Sequence, residues 1–351
     1  MANIVKSVEL IEYTMSSTAI SGSVSLTKGQ NYLDCVPFMT SYSSSDYLDS
    51  KLIDMYLTDG TITFERSTQR NNAVYIKCYV VEFDSEQVRV QQGTFNVTSS
   101  TTHTVTLPTT LNATNKAALS FGWKCSSSSQ FFAYHVVRGR VTATTTIDFY
   151  RYTVSGNCTG HWFLFEDLNN NFNVTHLSSS FSVGSQTNTI DNGRCVDPLR
   201  TFFIGSYATV ATDVNMARST TRIVMYSDGT VHLDKGDVFN YTMYWSCQVI
   251  EFLDLTKVYI PFMYHSFGFS TTTYSKKLGA EATYFPFSCD LDYSMVSSTM
   301  VQGLSRVDGT VAASINETFV SVKLSDSNTF SFSKANASYT ANPSHTVAVA
   351  W

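Results

Sequence analysis

Charge is scarce in this chain. Asp, Glu, Lys and Arg together make up 15% of its 351 residues, and the formal net charge is only −5. There is no run of Lys and Arg and no strongly basic isoelectric point, so nucleic acid is not an expected partner. No stretch of 18 apolar residues exists, which excludes a membrane-spanning helix and leaves no membrane partner to expect. The first residues, Met1-Ala2-Asn3-Ile4-Val5-Lys6-Ser7, lack the charged start and apolar run of a signal peptide. The expectation is a chain made and kept in a cytoplasm, or assembled there into something larger.

Chemical motifs are missing too. The seven cysteines (Cys35, Cys78, Cys125, Cys158, Cys195, Cys247 and Cys289) are odd in number and contain no close pair. That argues against a disulfide framework and against a CxxC metal site. Cys78 and Cys247 fall in strand-like runs and read as small buried hydrophobes. His103, His135, His161, His176, His232, His265 and His345 show no HxH or HExxH spacing, so no metal is expected. The acidic turn Asp167-Leu168-Asn169-Asn170-Asn171 lacks the Gly and distal Glu of a calcium loop and reads as a solvated turn. No GxSxG, P-loop or GxGxxG occurs, and no cofactor is implied.

What the chain does have is a repeat. Thr61-Ile62-Thr63-Phe64-Glu65-Arg66 returns as Thr146-Ile147-Asp148-Phe149-Tyr150-Arg151, then as Thr230-Val231-His232-Leu233-Asp234-Lys235. A fainter copy is Thr329-Phe330-Ser331-Phe332-Ser333-Lys334, and the steps are 85, 84 and 99 residues. Each copy is followed by a partner phrase: Val80-Val81-Glu82-Phe83, Leu164-Phe165-Glu166-Asp167, Val249-Ile250-Glu251-Phe252 and Ala348-Val349-Ala350-Trp351. A fixed period of this length means a tandem array of supersecondary units. Boundaries at 1–84, 85–167, 168–252 and 253–351 make four complete units, each large enough for a small core of its own. The last carries about 15 extra residues, placed between Met295 and Val311.

The fold expectation is all-β. Aromatics reach 14%, and Ser and Thr fill the polar positions. Thr104-Val105-Thr106-Leu107 and Val320-Ser321-Val322-Lys323-Leu324 alternate with period two, and Lys28-Gly29, Asp59-Gly60, Asp228-Gly229 and Asp308-Gly309 supply turns. Such units read as β-sandwiches or jelly rolls. The one helix-like passage is Asp46 to Tyr56, where Leu48, Leu52 and Tyr56 share a face.

The candidate site residues are charges repeated with the units. Glu82, Glu166 and Glu251 sit in apolar strands, and Arg66, Arg151 and Lys235 end the preceding phrase. The expectation is a cross-strand ion pair within each unit or a salt bridge between subunits. One carboxylate per unit does not make the paired carboxylates of a glycan-cleaving enzyme. The chain is therefore expected not to be an enzyme. Trp123, Phe131, Phe132 and Tyr134 follow a Ser-rich loop and could line a sugar-binding surface, but the core reading is preferred.

Tyr79-Val80-Val81-Glu82-Phe83, followed after a turn by Val88-Arg89-Val90-Gln91-Gln92-Gly93, resembles a module of tailed-bacteriophage virion proteins, where "VVEF" and "VQxG" strands flank a tight turn in tandem copies. The third unit keeps the first phrase as Gln248-Val249-Ile250-Glu251-Phe252 but has Ile260-Pro261-Phe262 in place of the second, and the second unit keeps Leu164-Phe165-Glu166 loosely. The resemblance implies a structural component of the virion, a capsid decoration or tail-associated protein. Its partners would be other virion subunits in a homo-oligomer. A receptor- or glycan-binding adhesin of the tail, meeting a host surface glycan, is the alternative.

Overall fold

The computed structural model describes residues 4–43, 45, 47–127, 131–181, 184, 187–190, 201–210, 221–225, 231–235, 241–253, 262–263, 273–277, 299–302, 305–308, 321–326, 329–333, 340–343 and 346–350. In the strands at 187–190, 221–225 and 231–235, and beyond residue 253, only the backbone is described.

The chain is all-β, and its strand pairing follows the repeat. The first unit holds β1 (Val5–Met15), β2 (Ser21–Ser25), β3 (Cys35–Ser43), β4 (Asp54–Thr58), β5 (Thr61–Glu65) and β6 (Val74–Phe83). These form two antiparallel three-stranded sheets, ordered β1-β6-β3 and β2-β5-β4. The second unit repeats the arrangement with β7 (Val88–Val97), β8 (Thr102–Thr106), β9 (Ala117–Cys125), β10 (Arg138–Ala143), β11 (Thr146–Tyr150) and β12 (Cys158–Asp167). The third does so with β13 (Phe172–Phe181), β14 (Thr187–Ile190), β15 (Thr201–Thr209), β16 (Thr221–Met225), β17 (Val231–Lys235) and β18 (Met243–Phe252). Their sheets run β7-β12-β9 with β10-β11-β8, and β13-β18-β15 with β14-β17-β16.

The last unit contains β19 (Phe262–Met263), β20 (Thr273–Lys277), β21 (Thr299–Gln302), β22 (Ser305–Asp308), β23 (Ser321–Asp326), β24 (Thr329–Ser333), β25 (Thr340–Pro343) and β26 (Thr346–Ala350). It keeps the two sheets as β19-β26-β21 and β20-β24-β23 and adds the pair β22-β25. β21 and β22 fall in the stretch from 295 to 311 where the sequence places extra residues.

The Thr-initiated phrase is thus the central strand of one sheet and the partner phrase the central strand of the other. Turn chemistry agrees where it is described. Gly29 and Gly60 take φ of 63° and 66°, a region that glycine enters without steric cost. Asp228-Gly229 and Gly309 lie outside the described residues.

The helix-like passage forms no α-helix over its described residues, 47–56. A single 3-10 turn, Leu48–Ser50, is followed by β4, which contains Tyr56. Leu48 and Leu52 are buried, so the apolar spacing is real. The pairing of Asp54–Thr58 with β5 outweighs helix spacing over so short a run.

Beside the interiors of the second and third units there is a further core that the units share. The central strands β6, β12 and β18 are buried on both faces. In β12, Trp162 and Leu164 join Ile147 and Phe149 of β11 in the unit's own interior. The alternate residues Phe163 and Phe165 point the other way, into a cluster shared with Tyr79, Val81 and Phe83 of β6 and with Ile250 and Phe252 of β18. In β18 the same alternation sends Trp245, Cys247 and Val249 into the third unit's own interior. Ring contacts run through the shared cluster: Phe83–Phe165 at 5.3 Å, Phe165–Phe172 at 5.9 Å, Phe172–Phe252 at 5.7 Å and Phe202–Phe252 at 5.9 Å. This explains why the partner phrases are nearly continuous apolar runs rather than alternating ones. The fourth unit returns to the first, where β21 and β23 lie against β3 and β6.

Truncating Phe165 to Ala removes a ring that touches three others. We expect Phe165→Ala to destabilise the chain by about 3–5 kcal/mol. Urea unfolding followed by tryptophan fluorescence and by circular dichroism should still show one coincident transition, because the first three units share the core.

Candidate functional site

The repeated charges do not pair with each other in the two units whose side chains are described. Arg66 directly follows β5 and is buried, and its guanidinium is held by backbone carbonyls. Nε donates to Ala19 O at 2.8 Å, Nη1 to Asn72 O at 2.9 Å, and Nη2 to Ser16 O and Ser17 O at 2.9 and 3.0 Å. Arg151 repeats this, with Nη1 donating to Ser155 O at 3.1 Å and Nη2 to Thr98 O and Gly156 O at 3.0 and 2.6 Å. Each arginine therefore ties the loop after the unit's first strand to the loop before its central strand. Burial pulls both guanidinium pKa values down, that of Arg151 to about 10.

Glu82 and Glu166 lie at the far end. Glu82 is in β6, which starts at Val74, so at ~3.3 Å per residue it stands some ~26 Å along the strand from the loop that Arg66 holds. That separation is why the expected Arg66–Glu82 and Arg151–Glu166 pairs are not made. Glu82 accepts from Ser7 Oγ at 2.9 Å and from Asn31 N at 3.2 Å. Glu166 accepts from the guanidinium of Arg89, the register equivalent of Ser7, and from Asn112 N. Both glutamates thus fasten the loop between the second and third strands of their unit. A second clamp lies beside the first. Glu9 accepts from Thr27 N at 3.0 Å and Thr27 Oγ1 at 2.8 Å, and the equivalent Gln91 exchanges bonds with Thr109 N and O at 2.8 and 2.9 Å. Glu251 is buried in β18, while the side chain of Lys235 and the whole of Lys334 lie outside the described residues.

Asp167 begins no solvated turn, being 3% exposed. Its Oδ1 accepts from Asn169 N at 3.1 Å and Asn171 Nδ2 at 3.0 Å, its Oδ2 from Phe172 N at 3.1 Å, and Lys116 Nζ stands 3.6 Å away. The carboxylate organises the passage from the second unit to the third. Phe132 is buried, and Trp123 is half-buried with Nε1 donating to His135 O at 2.7 Å, in keeping with the core reading. Cys78 and Cys247 are buried as read.

The cysteine reading needs a correction. Cys125 and Cys158, 33 residues apart, are directly opposed in β9 and β12 with Cα atoms 4.2 Å apart, and they form a disulfide. Only the strand register brings them together. Among the described residues, no group of three or more His, Cys, Asp or Glu is arranged to hold a metal ion.

Sequence reasoning did not reach the junctions between units. At the first junction, Asp54 of β4 reaches His161 of β12, with Oδ1 to the backbone N and Oδ2 to Nδ1, both at 2.9 Å. The imidazole lies against the Tyr56 ring at 4.7 Å. Tyr56 donates to Glu65 at 3.1 Å, and Glu65 also pairs with Lys124 of the second unit. Burial raises the pKa of Asp54 against the pull of His161. For Glu65 burial also raises it, but the Lys124 ammonium and the Tyr56 hydroxyl outweigh this and lower it.

The second junction is built differently. Gln248 of β18 accepts from Leu119 N at 2.7 Å and donates to Leu119 O at 2.8 Å, satisfying the free edge of β9. The equivalent edge of β3 has Pro37, which lacks the donor, and its carbonyl accepts from Ser120 Oγ at 2.9 Å. Arg138 lies over the rings of Tyr150 and Tyr244, at 5.0 and 5.8 Å. Comparison with protein-family models and with curated proteins finds no match.

Two expectations follow. Arg151→Met leaves the carbonyls of Thr98, Ser155 and Gly156 without their donor and should lower stability by about 2–4 kcal/mol, read from urea midpoints. His135 is buried and His176 half-buried, and loss of solvent lowers both imidazole pKa values. Below about pH 6.5 the unfolded chain takes up protons that the folded one refuses, so stability falls as pH falls through that value. The loss should reach about 1 kcal/mol at most for each imidazole at pH 6, measured as the shift in urea midpoint from pH 7.5.

Proposed function

We propose that this chain is a non-enzymatic structural protein of a tailed-phage virion, a capsid decoration or tail-associated subunit that binds neighbouring virion proteins. The observation that carries the reading is how the polar and apolar groups are spent. The central strands turn inward and bury both faces. The charges whose contacts are described fasten loops or seal junctions, leaving the outer sheets to meet partners. Those sheets end in β2 and β8, where Ser21, Ser23, Ser25, Thr102, Thr104 and Thr106 are exposed. Each is an edge strand whose pairing within its sheet lies on one side only. Edges of this kind can add a strand from a neighbour.

The Cys125–Cys158 bond fits an assembled particle, since virion surfaces meet oxidising surroundings. No helix among the described residues is long and apolar enough to cross a membrane, and the proposed location is the virion itself.

The test is assembly. Light scattering gives the size of the purified protein, which is then mixed with emptied capsids and with tails. Binding to either supports the reading and selects the location. A stable monomer that ignores both and binds bacterial cells would overturn it. Placing Lys at Ser21, Ser25, Thr102 and Thr106 should reduce assembly at least tenfold while thermal stability stays within about 1 kcal/mol, because exposed edge charges oppose strand addition without touching the core.

A further inference from the structure

The repeat provides an internal comparison between the two junctions. Counting from the shared glutamates Glu166 and Glu251, His161 of β12 and Ser246 of β18 occupy the same place. The strand pairings likewise align Tyr56 with Arg140, and Thr63 with Asp148. At the first junction the His161 ring fills the space against Tyr56 and bonds Asp54. At the second, a hydroxymethyl group stands where the imidazole would be. The result is a cleft of about 400 Å³, walled by Arg140, Thr142, Asp148, His176, Ser178 and Ser246. Ser246 is 4% exposed, and its Oγ has no hydrogen-bond partner within the protein. A buried hydroxyl without a partner is costly, and Ser246 stands in the wall of a polar cleft of a size that suits a ligand.

We infer that this cleft binds a neutral carbohydrate of one or two sugar rings. Its volume lies within the range of about 300–1,000 Å³ usual for small-molecule sites. The charges at its rim compensate each other: Arg140 Nη2 stands 3.6 Å from Asp148 Oδ2, and Asp148 also accepts from Thr104 at 2.7 Å. Burial disfavours the protonated form of His176, whose Nε2 donates to Thr114 O at 2.9 Å. Among the described residues, Asp148 and Arg140 are the acidic and basic groups of the cleft wall, and they are paired with each other. A ligand rich in hydroxyls finds a donor in Arg140, an acceptor in Asp148, and the apolar flank of Val141 and Leu177 for its C–H face. This inference stands independently of the virion proposal, since either a particle subunit or an adhesin can carry such a site.

The test is saturation-transfer NMR on the full chain with a panel of free glucose, galactose, N-acetylglucosamine, maltose and lactose, followed by titration calorimetry with any that respond. Transfer to at least one sugar is expected. Ser246→His should abolish it by supplying the ring that fills the first junction. Arg140→Gln, a change at the half-exposed rim, should weaken binding about tenfold through loss of a charge-assisted bond. Circular dichroism and thermal unfolding identify a variant that fails to fold, in which case the other decides. Absence of transfer for every sugar overturns the inference, and so does binding that folded Ser246→His and Arg140→Gln leave unchanged.

Discussion

The structure depends on one constraint: the central strands β6, β12 and β18 must bury both of their faces. One face closes the sandwich of its own unit. The other meets its counterparts from neighbouring units. At about 25 cal/mol per Å² of apolar surface, the Phe side chains shared in this way are among the largest favourable contributions available to a chain with so few charges. Once those faces are committed inward, the linkers must be short, the units must close on each other, and polar groups at strand ends must be satisfied locally. A unit cut from the array would expose an apolar sheet face to water.

The polar residues answer that last requirement. Arg66 and Arg151 gather carbonyls at one end of their units, and Glu82 and Glu166 gather N–H groups at the other. A buried guanidinium surrounded by carbonyl oxygens satisfies several backbone groups at once. Replacing it by an apolar side chain would leave each of those groups unpaired. The repetition of these residues therefore follows from the repetition of loops that need fastening, a structural demand that recurs wherever the unit does.

Much of this was legible in the sequence, and the limits have physical causes. The period of the Thr-initiated and partner phrases located the central strands of both sheets in every unit. The partners of the repeated charges were not legible, because spacing along the chain does not say at which end of a strand a residue will stand. The Cys125–Cys158 bond depends on register between β9 and β12, which no spacing of 33 residues reveals. Leu48, Leu52 and Tyr56 fit a helical face over a span too short to distinguish helix from turn and strand. Only the packing of Phe163, Phe165, Ile250 and Phe252 into one cluster shows where the second face of the central strands goes.

The most direct measurement of the central claim is native-state hydrogen exchange on the whole chain, read by mass spectrometry across increasing denaturant. If one shared core holds the first three units together, the slowest amides of β6, β12 and β18 will open with the same free energy and the same denaturant dependence, as a single cooperative unit. If those three strands open with separate free energies, each unit holds itself together and the account of a shared core is contradicted.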